Sequence, residues 1–141
     1  MTRPNPKTIT RSIRLAIDDA GIKPEDIQYI NAHGTGTAKG DATEFHCLNE
    51  VFGQFLEKIP VSSNKSQLGH TLGASAAIEA ALTIEGMQHS IILPTINHIP
   101  DSAFDGIDVV PNEPRKQPYE IALSTSFGFG GSNCCVVLRG V

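Results

Sequence analysis

Two glycine-rich runs of this 141-residue chain contain a histidine, and one of them also contains a lysine. The first run is NAHGTGT, which carries His33. The second is NKSQLGHTLGA, in which Lys65 and His70 lie five residues apart. Histidines in such loops can act in catalysis or bind a metal ion. A lone histidine near a strand end is more often a structural hydrogen-bonding group. The sequence around the two runs therefore has to show whether their histidines are structural or functional.

Both runs follow a predicted strand and precede a predicted helix. The strands are residues 27–32 and 59–63, which are short and apolar. Ligands of open α/β sheets bind beyond the carboxyl ends of the strands, so His33 and His70 are expected to converge. A third glycine-rich loop, residues 126–133, also follows a predicted strand. Three such loops at one sheet edge would form a pocket.

Three helices are predicted around these strands. Residues 8–20 carry an apolar stripe at helical spacing. Asp41, followed by Glu44, fits a capping box and predicts a helix that begins at Asp41 and ends at Gly53. Residues 74–87 are rich in Ala, Leu, Ile and Glu and lack proline, which predicts a buried helix that packs closely.

The last third of the chain is predicted to be rich in strands. IDVVP is a short strand, and IALSTSFG and SNCCVVLRG are β-rich runs joined by a glycine-rich turn, so they should pair antiparallel. The earlier alternation of strands and helices predicts parallel pairing. The sequence therefore predicts one α/β domain over residues 1–141, with a mixed, mainly parallel sheet flanked by helices.

Composition and charge narrow the functional classes. The chain is 40% hydrophobic and 18% charged, which is typical of a packed globular core. Its net charge of −4 is unlike that of a nucleic-acid-binding protein. No apolar run approaches the length of a membrane span, and MTRPNPKT lacks the apolar segment of a signal peptide. We therefore expect a cytoplasmic protein that binds neither nucleic acid nor membrane.

Neither a disulfide framework nor a zinc site is predicted. The cysteines are Cys47, Cys134 and Cys135. Their odd number, the adjacent pair and the lack of CxxC spacing indicate free thiols. A metal site built from His33, His46 and His70 is conceivable, but no HxxxH or HExxH spacing supports it, so no metal is predicted.

The combination of four motifs is more specific than any one of them. YINAHGTGTAKGD, VSSNKSQLGHTLGASAAIE, ILPTIN and SFGFGGSN, in this order, resemble the C-terminal half of β-ketoacyl-acyl-carrier-protein synthases. These are the condensing enzymes of fatty-acid and polyketide synthesis, and the resemblance is strongest to the elongating type. It runs from near Lys7 to Val141. It implies the thiolase-like fold, in which each of two similar halves has a five-stranded mixed sheet between helices.

The resemblance also implies roles for individual residues. His33 and His70 match the two active-site histidines, which bind the malonyl thioester carbonyl and assist decarboxylation. Two neutral imidazole donors would stabilise the enolate that forms. Lys65 matches the active-site lysine and Glu79 its acidic partner on the following helix. A buried lysine needs such a partner to keep its charge.

Further roles follow for the substrate path. Thr35 and Thr37 match the threonines that touch the pantetheine arm. Phe129 matches the gate residue, whose backbone N–H contributes to the oxyanion hole. Phe127 and Gly128 beside it are assigned to substrate binding and to support of the loop. No cofactor is expected, because the phosphopantetheine arm arrives on the acyl carrier protein.

The nucleophile of the family is missing from this chain. These enzymes transfer the acyl group to a cysteine of the N-terminal half, at a strand-to-helix turn, and none of the three cysteines lies in such a turn. We therefore expect no condensation by the chain alone. It should need the N-terminal half or a partner chain, and should form a homo-oligomer. The alternatives are a non-catalytic partner subunit, a truncated product without activity, and a thiolase-like relative with another nucleophile.

Overall fold

The computed structural model describes residues 4–140. The first three residues, part of the stretch considered above for a signal peptide, and Val141 lie outside this range. The helices are α1 (Pro6–Asp19), α2 (Ala38–Phe52), α3 (Lys65–Leu68) and α4 (Ser75–His89). The strands are β1 (Tyr29–Asn31), β2 (Pro60–Ser62), β3 (Ile91–Ile92), β4 (Asp108–Val109), β5 (Arg115–Lys116), β6 (Ile121–Phe127) and β7 (Asn133–Arg139).

Five strands form one sheet in the order β4-β2-β1-β6-β7. β1 pairs parallel with β2 and β6, and β2 pairs parallel with β4. β7 pairs antiparallel with β6, and β3 and β5 form a separate antiparallel pair. The prediction of a mixed, mainly parallel sheet with antiparallel last strands is confirmed.

α1 and α2 cover one face of the sheet. The Asn5 side chain caps α1 by accepting from the N–H of Lys7, and Pro6 opens the helix. Buried isoleucines of α1 join residues of α2 and the sheet in the main core. The buried α1 isoleucines are Ile9, Ile13 and Ile17. The apolar stripe found in the sequence is the buried face of this helix.

The predicted start of α2 is wrong. The helix begins at Ala38, with Thr37 at the N-cap position, so Asp41 lies within the first turn rather than before it. The predicted capping box is also absent. The carboxylate of Glu44 binds the N–H groups of His33 and Gly34 and is therefore occupied by the preceding loop. The predicted end is confirmed, since Gly53 caps the helix with φ of 51°.

The prediction of a buried α4 is wrong for this chain. The face directed at the sheet contains Glu79, Thr83 and Gly86, whereas Ile78 and Ile84 on the other side are 37% and 42% exposed. Nothing among the described residues covers that apolar face. None of the helices in the described range combines the length and apolar character needed to cross a bilayer.

Candidate active site

The candidate site lies at the carboxyl ends of β1, β2 and β6. His33 follows β1, α3 and His70 follow β2, and Phe127 ends β6. The ring centroids of His33 and His70 are 5.7 Å apart, with the rings nearly perpendicular at 88°. The Phe127 ring lies 5.3 Å from that of His33. The structure therefore brings these three side chains together, as the order of strands and loops predicted.

The backbone around His33 is held by a buried carboxylate. Glu44 accepts hydrogen bonds from the N–H groups of His33 and Gly34, both at 2.9 Å. Thr125, from β6, donates its hydroxyl to Glu44 at 2.7 Å. Burial raises the pKa of Glu44, and these hydrogen bonds oppose that shift. Glu44 thus connects α2 to the loop that carries His33.

The two histidine loops also contact each other directly. Ser63 donates its hydroxyl to the carbonyl of Gly34 at 2.8 Å. Gly34 has a positive φ of 33°, and a Cβ atom there would lie 2.6 Å from the Cβ of Ser63. Only glycine fits this position, because the loops approach too closely for a side chain.

Lys65 and Glu79 form a buried ion pair. Lys65 Nζ lies 2.5 Å from Glu79 Oε1, and the side chains are 4% and 2% exposed. The Asn31 amide donates to Glu79 at 3.4 Å and to Ser124 at 3.0 Å. The pairing that the sequence suggested is present. It lies between α3 and α4, against the end of β1.

The protonation of the two imidazoles follows from their surroundings. The Leu72 N–H points to His70 Nδ1 at 3.2 Å, and because an N–H can only donate, Nδ1 carries no proton and Nε2 carries it. Burial, Lys65 and His70, in this order, lower the pKa of His33 to about 4. His33 is therefore neutral at neutral pH.

The other candidate residues from the sequence lie in the loops that follow β1 and β6. The hydroxyls of Thr35 and Thr37 are 3.1 Å apart, just before α2. The N–H of Gly128 donates to the Ser132 carbonyl at 2.6 Å. Phe129 begins a 3₁₀ turn, Phe129–Gly131, and is 82% exposed, so this chain does not bury it in the site.

A cleft of about 470 Å³ opens beside this group. Its lining includes the polar residues Lys65, His70 and Thr35. The lining also includes apolar residues, among them Phe45 and Phe104, whose ring centroids are 5.9 Å apart. The cleft is large enough to take part of an extended, partly apolar ligand.

The cysteines do not provide an activated thiol. Cys47 is fully buried, and burial raises its pKa. Burial raises the pKa of Cys135 to about 12, so this thiol stays protonated, and its Sγ lies 3.2 Å from Ser12 Oγ. All three cysteines are free, and Cys134 is exposed. In residues 4–140, no group of three or more His, Cys, Asp or Glu side chains is arranged to hold a metal ion.

Several residues of this site were not identified from the sequence. They are Asn31, Glu44 in its loop-binding role, Ser75, Ser124 and Thr125. Asn31 stands in the NAHGTGT run, so its position was a usable signal. Thr125 and Ser75 gave none, because their contacts with the His33 backbone and the His70 ring exist only in the folded chain.

The chain matches known proteins over its whole length. The profile described as "Beta-ketoacyl synthase, C-terminal domain" matches residues 1–98. The chain is 44% identical over 131 residues to 3-oxoacyl-[acyl-carrier-protein] synthase 2 of Staphylococcus aureus, which covers 92% of the chain and 32% of that protein. The protein of that name from Coxiella burnetii is 42% identical over 144 residues, covering 100% of the chain and 34% of the relative. The chain thus spans about a third of the length of these relatives.

Solved structures show the same similarity. A β-ketoacyl synthase from Burkholderia phymatum has a TM-score of 0.93 at 41% identity, over 100% of this chain and 34% of that one. The ishigamide ketosynthase/chain length factor has a TM-score of 0.94 at 38% identity, over 99% and 34%. A type II polyketide ketosynthase, solved in complex with its acyl-carrier protein, has a TM-score of 0.93 at 36% identity, over 100% and 35%.

Proposed function

The chain belongs to the β-ketoacyl synthase family, as its C-terminal domain, and on this basis we propose that it supplies the His33, His70 and Lys65 side of the active site of a 3-oxoacyl-[acyl-carrier-protein] synthase. The proposed reaction is the decarboxylative condensation of malonyl-acyl carrier protein with an acyl chain. The thiolase-like fold and the family assignment support the class of reaction. The assignment of the individual residues rests on the geometry of the site.

One observation carries the proposal: the imidazole rings of His33 and His70 lie next to each other at the carboxyl edge of the sheet, with their centroids 5.7 Å apart. Decarboxylation breaks the bond between the malonyl carboxyl and the methylene carbon, and the electron pair moves into an enolate whose charge lies on the thioester oxygen. Donors fixed near that oxygen stabilise the charge as it develops. The Nε2–H of His70 is such a donor, and we assign His33 to the same oxygen.

The enolate carbon then attacks the carbonyl of the acyl thioester, and the thiolate that held the acyl chain leaves. The cysteines of this chain do not offer that thiolate, since Cys47 and Cys135 have raised pKa values and Cys134 lies on an exposed strand position. We therefore assign the nucleophile to a further half of the enzyme, on the same polypeptide or on a partner chain.

The remaining residues are assigned to substrate binding and to the support of the site. The buried Lys65–Glu79 pair keeps a positive charge beside His33 and fixes α3 against α4. Thr35 and Thr37 lie before α2, where they can contact the pantetheine arm, and Phe127 and Phe129 flank the acyl chain. Gly128 supports that loop through the hydrogen bond from its N–H to the Ser132 carbonyl. No cofactor is needed, because the pantetheine arm is part of the substrate.

The partners proposed are an acyl carrier protein, the nucleophile-bearing half and a second copy of the complete enzyme, in the cytoplasm. The ketosynthase that was solved with its acyl-carrier protein supports the first. The exposed apolar face of α4 supports the second, since a soluble protein covers such a surface. The alternatives are a non-catalytic partner subunit and a truncated product without activity alone, both of which account equally for the lack of an activated cysteine.

Decarboxylation of a malonyl thioester by the chain combined with a nucleophile-bearing half tests the proposal. His33→Ala should reduce the rate by at least about a hundredfold, because it removes a donor at the charged oxygen. His46→Ala, which removes an exposed histidine of α2, is the matched control and should leave the rate unchanged. An unchanged rate in His33→Ala would favour the non-catalytic alternative.

A further inference from the structure

Ser75, the first residue of α4, lies directly behind His70. Ser75 is 6% exposed. Its Oγ is 3.1 Å from His70 Nδ1, 3.0 Å from the backbone nitrogen of Thr71 and 3.1 Å from the hydroxyl of Thr71. A single buried hydroxyl therefore has three polar neighbours, all in the turn that carries the histidine.

The direction of each hydrogen bond follows from counting protons. A serine hydroxyl has one proton and two lone pairs. The Thr71 N–H can only donate, so it occupies one lone pair. His70 Nδ1 already accepts from the Leu72 N–H and has no proton to give. If Ser75 donated to Thr71 instead, a lone pair of its oxygen would face the lone pair of Nδ1 at 3.1 Å. We therefore take Ser75 to donate to Nδ1, whose single lone pair it shares with the Leu72 N–H, while its own second lone pair accepts from the Thr71 hydroxyl.

We propose that Ser75 is a positioning residue for His70: its hydroxyl donates to Nδ1 beside the Leu72 N–H, which holds the ring in place and strengthens the preference for a proton on Nε2, the nitrogen that is left to donate to a substrate. The alternative tautomer would place a ring N–H against the Leu72 N–H and would require Ser75 to reverse its hydrogen bond and accept. This role rests on the proposed function, since it matters for catalysis only if His70 donates to the thioester oxygen.

The conformation of the turn shows why it needs such support. Leu72 has a positive φ of 51°, a backbone conformation that residues with a side chain rarely adopt. Its side chain is 70% exposed and offers little packing in return. The hydrogen bonds from Leu72 to His70 and from Thr71 to Ser75 hold the backbone in this conformation. Without the Ser75 hydroxyl, the Thr71 N–H loses its acceptor and Nδ1 loses one of two donors.

The test compares Ser75→Ala and Ser75→Thr with the wild type in the complete, nucleophile-containing enzyme. Nitrogen-15 spectra of labelled histidine report whether Nδ1 of His70 is unprotonated and how strongly it is hydrogen-bonded. We expect an unprotonated, hydrogen-bonded Nδ1 in the wild type. In Ser75→Ala this resonance should move towards the position of a weakly bonded nitrogen, and in Ser75→Thr it should return.

Kinetics provide the second readout. Loss of one hydrogen bond of ordinary strength should lower kcat for malonyl decarboxylation roughly fivefold in Ser75→Ala, with KM unchanged and with recovery in Ser75→Thr. Ser12→Ala, which removes a serine hydroxyl from α1 far along the chain, is the control and should change neither readout.

The proposal is overturned by a protonated Nδ1 in the wild-type enzyme, or by a Ser75→Ala enzyme with unchanged spectrum and kcat. Should Ser75→Ala fail to fold, as circular dichroism would show, the wild-type spectrum and the Ser75→Thr enzyme decide. A wild-type enzyme without decarboxylase activity would instead refute the proposed function. The nitrogen-15 spectrum would still test the hydrogen bond, which a protonated Nδ1 would refute and an unprotonated Nδ1 would support.

Discussion

His33 is the more shielded of the two histidines, and its surroundings determine its charge. Burial has the largest effect on its pKa, followed by the Lys65 ammonium and the His70 ring, and together they lower it from 6.5 to about 4. A protonated His33 would place a second positive charge beside a lysine that is already buried. The neutral ring can donate a hydrogen bond without that repulsion, which suits the stabilisation of an anion.

This shift should appear in the pH dependence of stability. Between pH 6.5 and about 4, the unfolded chain binds a proton at His33 and the folded chain does not. The free energy of unfolding should therefore fall as the pH falls through this window. His33→Gln should remove that part of the decrease, as measured by denaturant unfolding at several pH values.

His46→Gln is the control, because His46 is exposed on α2, and it should keep the wild-type pH dependence. A His33→Gln protein whose free energy of unfolding falls as steeply as that of the wild type would show that the folded state does not depress the pKa of His33.

At Gly86, α4 packs unusually close to β3 and to Tyr119. A Cβ atom at this position would overlap the Tyr119 hydroxyl and lie 2.6 Å from the Ile91 carbonyl oxygen. Tyr119 in turn donates its hydroxyl to the Thr83 carbonyl at 2.8 Å. The glycine therefore lets α4 approach β3 and the buried tyrosine.

Gly86→Ala should lower the free energy of unfolding by roughly 1 to 3 kcal/mol. Alanine favours a helix over glycine by about 1 kcal/mol, so a destabilised variant means that the overlap outweighs the helix propensity. Chemical denaturation gives the value. Gly73→Ala is the matched control, since a Cβ atom there meets nothing within 4 Å. A Gly86→Ala protein as stable as the wild type would mean that α4 shifts freely.

The sequence predicted the elements well where the signal was local. Strands followed by glycine-rich loops gave the parallel sheet and the convergence of His33 and His70, because carboxyl ends of parallel strands share one edge. The Asp41–Glu44 spacing led to a wrong prediction of a capping box, because the carboxylate at position 44 can either cap the helix or bind a distant loop. Composition alone cannot tell which of the two occurs.

Contacts between distant parts of the chain could not be predicted from the sequence. Thr125 reaches the His33 backbone only after β6 has paired with β1. The exposure of α4 was missed for a similar reason. An Ala- and Ile-rich helix is predicted to be buried from its composition, and only the fold shows that its polar residues face inward and its apolar residues face outward.

At the scale of the whole molecule, α3, the turn after it and α4 all carry exposed apolar side chains. Ile78 and Ile84 lie on α4, and the exposed Leu68 and Leu72 lie in and after α3, next to the turn of His70. Monomeric soluble proteins seldom expose large contiguous apolar patches, so these side chains are candidates for contact with another part of the enzyme. We expect the nucleophile-bearing half to pack here, which would bring its cysteine to the histidines.

Polar substitutions on this surface separate association from folding. Ile78→Gln combined with Ile84→Gln should reduce self-association of the chain alone in light scattering, and should weaken its binding to a nucleophile-bearing half. Leu15→Gln, at an exposed position of α1, is the control and should change neither. Undiminished self-association of the double variant would place the contact elsewhere.

The order of strands has a consequence for synthesis on the ribosome. β6 lies beside β1 in the sheet, with Tyr29 paired to Ala122, yet it is made about ninety residues later. At ordinary elongation rates this interval lasts roughly 5 to 20 seconds. Throughout it, one edge of β1 has unpaired N–H and C=O groups that another strand could occupy. This edge of β1 therefore has to be shielded from wrong pairing until Phe127 emerges and β6 can pair with β1.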